Sequence, residues 1–296
     1  MNLPKRVLIR EVGPRDGLQN EKQYAEPADK VRMIELLAAA GLKDIEAASF
    51  VHPKAVPQMR DAEVVLGLLP AWPGVEISAL TLNLKGAMRA VDAGVKTLVV
   101  NISASESHSR HNANCSRDEA LAELDRIAEL GRTHGIVVRT DVSVVFGCPY
   151  DGPIDVAETA YVVYRMLAAG IKEIALADTA GLGNPLQVYR ICTELRQKFP
   201  AAEFALHIHD PRGLGLANVL AGLQAGIDIV ETSVGGLGGC PFVPNAPGNV
   251  ATEDVVYMLH EMGIETGVDL NKVIKAGRFV EAVLGRELTS RQLRLR

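Results

Sequence analysis

The sequence predicts an α/β fold, a (β/α)8 TIM barrel with extra capping helices at its carboxyl end. One junction recurs along the chain, in which an Ala-rich stretch of helical spacing ends at a Gly and β-branched residues follow at once. Eight short apolar segments have the length of strands, and helical patterns separate them. Eight such units in 296 residues fit one barrel.

The recurrent junction has a simple physical basis. Gly adopts the left-handed backbone conformation that ends a helix, and the β-branched residues after it favour a strand. A further helix is expected to end at Pro200, before an apolar strand-like segment. The junction glycines are Gly41, Gly94, Gly170 and Gly226, with looser versions at Gly74 and Gly135.

These junctions and an opening strand place all eight units in order. Several of the strands are uninterrupted apolar runs, which is typical of parallel strands that are covered on both faces. The strands are predicted at 6–12, 44–50, 75–82, 96–102, 136–143, 172–177, 203–209 and 227–233. The helices are predicted at 27–40, 58–69, 84–93, 117–134, 154–169, 185–198 and 213–225.

An open, doubly wound sheet is the alternative to a closed barrel. Such sheets usually carry a Gly-x-Gly-x-x-Gly turn after the first strand, whereas this turn reads Gly13-Pro14-Arg15-Asp16-Gly17. Helices near 252–262 and 269–284 follow the last strand and are expected to cap the barrel. Because no linker divides the chain, we expect residues 1–296 to form a single domain.

Composition excludes several classes of protein. The net charge of −5 gives no support for nucleic-acid binding. No apolar run reaches the length of about 18 residues that a membrane-spanning helix requires. None of the four cysteines forms a C-x-x-C pair, which favours reduced intracellular thiols. With no secretory or transit sequence visible, we expect a cytoplasmic protein.

The polar residues at the predicted strand ends include a candidate metal site. His207 and His209 alternate along a strand, so their side chains point the same way. Asp16 follows the first strand, and in a barrel both strand ends meet at one rim. Carboxylate and imidazole together suit Mg²⁺, Mn²⁺, Co²⁺ or Zn²⁺, with the Asn249 amide oxygen as a further ligand. The alternative is that each histidine is only a hydrogen-bonded structural residue.

Two other features lie beside this candidate site. Arg15 can neutralise an enolate or carboxylate oxygen, or instead form a structural salt bridge with Glu46 or Glu11. Glu46 can orient Arg15 or a metal ligand. The stretch 233–241 carries four glycines and Cys240, so it resembles a mobile lid that brings a thiol to the site. Residues 108–111 are expected to form a polar loop that can touch substrate.

Taken together, these motifs resemble those of the 3-hydroxy-3-methylglutaryl-CoA lyases, within the wider group of pyruvate carboxyltransferase-like barrels. The resemblance covers nearly the whole chain. The segments that carry it are 13–21, 45–51, 53–59, 112–116, 147–152, 177–179, 207–210, 233–242, 248–249 and 251–254.

The resemblance implies roles for individual residues and a partner. It implies that the substrate is an acyl-CoA, that the cofactor is Mg²⁺ or Mn²⁺, and that the protein is a homodimer. The implied metal ligands are Asp16, His207, His209 and Asn249. The implied catalytic residues are Arg15, Glu46, His207 and Cys240. The implied substrate contacts are Arg15, Gln19, Ser49, Asn112 and Asp178.

The reaction that the resemblance implies is the retro-Claisen cleavage of (S)-3-hydroxy-3-methylglutaryl-CoA to acetyl-CoA and acetoacetate, as in leucine degradation. The segment after Cys240 departs from the family pattern at Asn245 and Pro247, where small residues are frequent. A related 3-hydroxy-3-alkylglutaryl-CoA is therefore an alternative substrate. A Claisen-type condensing enzyme and a non-catalytic barrel are the remaining alternatives.

Overall fold

The protein forms a closed barrel of eight parallel strands, as predicted. The computed structural model describes residues 3–238 and 248–295. Each strand pairs with the next along the chain, and β1 pairs with β8 to close the barrel. The strands are β1 Leu8–Glu11, β2 Asp44–Ser49, β3 Glu76–Thr81, β4 Thr97–Ser103, β5 Val137–Ser143, β6 Glu173–Asp178, β7 Glu203–Ile208 and β8 Ile229–Thr232.

Helices surround the barrel and connect its strands. They are α1 Pro27–Ala39, α2 Ala62–Leu68, α3 Leu84–Asp92, α4 Glu106–Ala113, α5 Arg117–His134, α6 Val156–Ala168, α7 Pro185–Lys198, α8 Gly215–Gln224, α9 Thr252–Glu261, α10 Leu270–Leu284 and α11 Arg291–Leu295. After β8, α9 and α10 lie where two capping helices were predicted, and α10 packs against α1 and α9. Within the described residues, we find no helix with the length and apolar character to span a bilayer.

The junction glycines have the predicted conformation. All six adopt φ angles between +63° and +98°, the left-handed region in which a side chain is strained. At Gly41 a Cβ atom would also lie 2.4 Å from the carbonyl oxygen of Gly267. The helix-to-strand joints therefore depend on glycine itself, which is why they were visible in the sequence.

The expected loop at residues 108–111 is wrong, because these residues lie within the helix α4. Ser105 begins this helix, and its side chain accepts a hydrogen bond from the backbone N–H of His108 at 3.0 Å. The segment is polar almost throughout, so it lacks the apolar spacing by which sequence analysis finds helices. Its N-cap serine was the available signal.

The apolar core lies between the outer face of the barrel and the helices. It is one continuous cluster of side chains from the strands and helices. Inside the barrel only Ala175, Ala205 and Ile229 form a separate small apolar cluster among the described residues. Charged side chains occupy much of the remaining interior: Arg10, Asp44, Glu46, Arg139, Asp141 and Glu231.

Candidate metal centre

Asp16 reaches the barrel mouth on a single turn of π-helix, Gly13–Gly17, directly after β1. The backbone N–H groups of Asp16 and Gly17 donate to the carbonyl oxygen of Val12 at 2.7 and 3.2 Å, which fixes the turn. A Cβ atom at Gly17 would lie 2.6 Å from Ser233 Oγ and 2.7 Å from Leu237 Cβ. The second glycine of this motif is therefore required by packing against the loop after β8.

Asp16, His207 and His209 converge on one point at the carboxyl ends of β1 and β7. Asp16 Oδ2 lies 3.9 Å from His207 Nε2 and 3.8 Å from His209 Nε2. The two Nε2 atoms are 3.2 Å apart, and both imidazoles are less than a tenth exposed. All three ligand atoms lie within 4.8 Å of one another, close enough to bind one ion.

Asn249 completes the group. Its Nδ2 donates to Asp16 Oδ2 at 2.7 Å and to the carbonyl oxygen of Leu237 at 3.2 Å, and its backbone bridges to His209. Its Oδ1 is buried without a hydrogen-bond partner within residues 3–238 and 248–295. A buried carbonyl oxygen without a partner costs free energy, and ligation of a cation removes that cost. The residues present therefore fit a divalent metal.

Arg15 lies against the same group and is held by two carboxylates. Its Nε and Nη2 donate to the two oxygens of Glu46 at 2.7 and 3.0 Å, and its Nη1 donates to Asp16 Oδ1 at 2.6 Å. Burial lowers the pKa of Arg15, but the negative charges of Glu46 and Asp16 raise it by more, so the pKa lies above its usual range. A guanidinium has five N–H groups, so two have no partner among residues 3–238 and 248–295 and can donate to a substrate oxygen.

The charges of the centre shift the pKa of Asp16 and that of His207 in opposite directions. Burial raises the pKa of Asp16, but Arg15 and the two imidazoles outweigh burial and hold that pKa well below its usual range. Burial lowers the pKa of His207, whereas its hydrogen bond with Glu231 and the charge of Asp16 raise it by more. The surroundings therefore attract positive charge to this point.

A network of buried ion pairs lies beneath the centre, and sequence analysis did not predict it. Arg10 donates to Asp44 at 2.7 Å and to Glu231 and Glu173, each at 3.0 Å. Arg139 donates to both oxygens of Asp44 at 2.8 and 2.9 Å. Part of the signal was present, because Asp44 and Glu46 on β2 and Arg139 and Asp141 on β5 are spaced two apart, which points each pair to one face of its strand.

Known proteins match this chain over nearly its whole length. The HMGL-like family model matches residues 6–280. A mitochondrial hydroxymethylglutaryl-CoA lyase of Bos taurus is 46% identical over 288 residues, which cover 97% of this chain and 89% of that protein. The chain belongs to the HMGL-like family. The expected resemblance is therefore confirmed.

Two further matches name what related proteins act on or bind. A 3-hydroxy-3-isohexenylglutaryl-CoA/hydroxy-methylglutaryl-CoA lyase of Pseudomonas aeruginosa is 45% identical over 291 residues, 98% of this chain and 97% of that protein. The structure of an HMG-CoA lyase from Acinetobacter baumannii, in complex with coenzyme A and 3-methylmalate, superposes with a TM-score of 0.94 at 38% identity. The superposition covers 99% of this chain and 96% of the Acinetobacter chain.

The other predicted site residues of this HMGL-like protein have distinct surroundings. Ser49 is buried at the end of β2, and its Oγ has no hydrogen-bond partner in the described part of the chain. Asp178 is buried, and its oxygens accept from the backbone N–H groups of Leu182 and Gly183. Gln19 is half-buried, and Asn112 is exposed on α4. Cys240 lies outside the described residues.

Asp141 is a further acid of the HMGL-like centre that sequence analysis missed. It lies on β5, two residues after Arg139, and is 4% exposed. Burial, and then the nearby carboxylates Glu231 and Glu46, raise the pKa of Asp141 well above its usual range. Its neutral, proton-bearing form is therefore favoured in the folded protein.

A separate cavity lies at the opposite end of the HMGL-like barrel. Its volume is about 680 Å³, and it opens beside Glu76, Thr97 and Val137, the first residues of β3, β4 and β5. The candidate metal-binding group lies at the carboxyl ends of the strands, where barrel enzymes carry their active sites. We therefore assign the chemistry to that end and none to this cavity.

Proposed function

We propose that this protein is a divalent-metal-dependent carbon–carbon lyase that cleaves 3-hydroxy-3-methylglutaryl-CoA to acetyl-CoA and acetoacetate. The observation that carries the proposal is the convergence of Asp16, His207 and His209 beside Arg15. The names of the bovine and Pseudomonas relatives support the substrate class. The coenzyme A in the Acinetobacter structure supports an acyl-CoA.

Asp16, His207, His209 and Asn249 would hold the metal, which we propose to be Mg²⁺ or Mn²⁺. A bound divalent cation supplies a Lewis acid that lowers the pKa of a neighbouring hydroxyl group. Asp16 serves two partners, because Oδ2 faces the imidazoles and Oδ1 accepts from Arg15. This shared carboxylate fixes the guanidinium at a set distance from the ligands.

Arg15 stabilises the product of carbon–carbon bond cleavage. When the bond breaks, its electron pair moves onto the carbon beside the thioester, and the thioester oxygen becomes an enolate. The two N–H groups of Arg15 that have no partner in the described part of the chain donate to that oxygen, in a buried setting where a charged hydrogen bond is strong. Glu46 keeps the guanidinium in place through its two hydrogen bonds. A nearby acid, Cys240 or His207, is our predicted proton donor to the enolate carbon.

The direct test is acetoacetate formation from 3-hydroxy-3-methylglutaryl-CoA with added Mg²⁺, before and after chelation of the metal. Replacing Asp16 by Ala should lower the rate more than about 100-fold, because the loss of a ligand exceeds the effect of losing an outer partner. Asp29→Ala, in the first turn of α1, is the control and should behave as wild type. Acetoacetate formation that survives both chelation and Asp16→Ala would refute the proposal.

A related 3-hydroxy-3-alkylglutaryl-CoA is the second candidate substrate. The Pseudomonas relative is named for both an isohexenyl and a methyl substrate, and it is 45% identical to this chain. A panel of acyl-CoA substrates with the methyl and longer alkyl groups distinguishes the two. A kcat/KM that is higher for the isohexenyl compound than for the methyl compound would assign the protein to the second class.

The cellular setting is proposed on the family resemblance alone. We expect a cytoplasmic homodimer that acts in leucine degradation and binds neither membrane nor nucleic acid. Light scattering on the purified protein measures the oligomeric state, and a monomer would contradict this expectation.

A further inference from the structure

Three neighbouring strands place a row of polar residues across the barrel interior. In the register of the sheet, Glu231 on β8 lies opposite Arg10 on β1 and opposite His207 on β7. All three side chains point inward and are less than a tenth exposed. The row therefore connects the buried ion-pair network directly to one of the candidate metal ligands.

Glu231 uses its two oxygens for different partners. Its Oε1 accepts from Arg10 Nη1 at 3.0 Å, and its Oε2 lies 2.9 Å from His207 Nδ1. A carboxylate that is paired with a buried arginine can only accept hydrogen bonds. The proton on His207 must then be on Nδ1, and a neutral ring with that proton leaves a lone pair on Nε2.

His207 Nε2 is also the atom that faces the other candidate ligands. It lies 3.2 Å from His209 Nε2 and 3.9 Å from Asp16 Oδ2. The tautomer that Glu231 selects is therefore the one that can bind a cation at this point. A carboxylate behind a metal-bound histidine fixes the orientation of the ring and increases its basicity.

We propose that Glu231, itself held by Arg10, is a positioning residue that fixes His207 in its metal-binding tautomer and so sets the affinity of the centre for a divalent cation. This inference rests on the proposed metal-dependent function and deepens it. It also removes His207 from the candidate proton donors, because its one ring proton is then held on Nδ1 by Glu231, while Nε2 faces the metal site. The predicted donor Cys240 is left in that role.

The first test measures the binding of Mn²⁺ to metal-free protein without substrate, by the electron paramagnetic resonance signal of free Mn²⁺. In Glu231→Gln the amide has one oxygen and one NH₂ group. Its NH₂ group must therefore face another N–H donor, that of Arg10 or that of His207 Nδ1, and one of the two hydrogen bonds is lost. We expect its Mn²⁺ affinity to fall about 10- to 100-fold, as for other outer partners of metal ligands.

Glu173→Gln is the matched control. Glu173, the first residue of β6, is also a glutamate and accepts from Arg10 at 3.0 Å, as Glu231 does. It should leave the Mn²⁺ affinity within about threefold of wild type, because it does not approach a ligand. Equal affinities of the two variants would overturn the inference while the proposed function stands. A wild-type protein that binds no Mn²⁺ would instead overturn the proposed function and this inference with it.

The second test keeps the inference falsifiable if Glu231→Gln fails to fold. Wild-type protein with ¹⁵N-labelled histidine and bound Mg²⁺ reports the tautomer of His207 by two-dimensional NMR, with His207→Asn used to assign its signals. We expect the proton on Nδ1 and none on Nε2. A proton on Nε2 would overturn the inference without reference to any Glu231 variant.

Discussion

Glu253, at the start of α9, is a fully buried carboxyl group with no ion pair to a cation among the described residues. Its two oxygens accept from the backbone N–H of Gly235 at 3.0 and 2.8 Å. Burial raises the pKa of Glu253 to about 8, since these hydrogen bonds offset only part of the cost and Glu11 adds to it. Glu253 therefore connects the stability of the protein to pH.

Replacing Glu253 by Gln should remove part of that pH dependence. Between the ordinary pKa of a glutamate and about 8, the folded protein holds a proton that the unfolded chain has released, so the free energy of unfolding falls as pH rises. As pH rises through this window, the free energy of unfolding of Glu253→Gln should increase relative to that of wild type by up to about 1.4 kcal/mol for each pH unit. Urea unfolding of both proteins at a series of pH values measures this difference.

Glu261→Gln, at the exposed end of the same helix, is the control and should follow the wild-type curve. A difference between Glu253→Gln and wild type that stays constant from pH 5 to pH 8 would contradict the prediction.

At the scale of elements, the π-helical turn Gly13–Gly17 does most to form the centre. It places Arg15 and Asp16 side by side. Arg15 donates to Glu46, and Asp16 faces the two imidazoles. Its motif was visible in the sequence, but its π-helical geometry was not, because it depends on contacts with the loop after β8. The junction glycines differ in this respect, since their positive φ is a local property and was predictable.

Replacing Gly17 by Ala should damage both the turn and the centre. The added methyl group would meet Ser233 Oγ and Leu237 Cβ at less than 3 Å, so the backbone that carries Asp16 must shift. We expect a loss of about 1–3 kcal/mol of stability, together with weaker Mn²⁺ binding. Gly67→Ala on α2 is the control, because its Cβ would meet nothing within 4 Å. Wild-type stability and Mn²⁺ affinity in Gly17→Ala would contradict this account.

At the scale of the whole molecule, the barrel interior joins distant strands by charge instead of apolar packing. Arg10 on β1 contacts carboxylates on β2, β6 and β8. Sequence analysis placed the strands within a few residues of their observed bounds because apolar runs and glycine junctions are local signals. It missed the interior network because which charges meet across a barrel depends on strand register, which the sequence alone does not state.

Replacing Arg10 by Met should destabilise the entire barrel. Asp44 and Glu231 would lose a buried cation, and leaving a buried charge without its partner costs about 3–5 kcal/mol. Guanidinium unfolding measures the loss. Arg32→Met removes the exposed ion pair with Glu35 and should change stability by less than about 0.5 kcal/mol. Equal effects of the two substitutions would show that the interior network contributes no more than a surface pair.

The contact between Asp16 and Asn249 joins residues that are 233 positions apart. A chain under synthesis therefore carries Asp16 for 233 residues before Asn249 is added, so the complete set of ligands exists only after every strand from β1 to β8 has been made. Translation products that stop before β8 would lack Asn249 and would offer quality-control proteases an unclosed sheet edge.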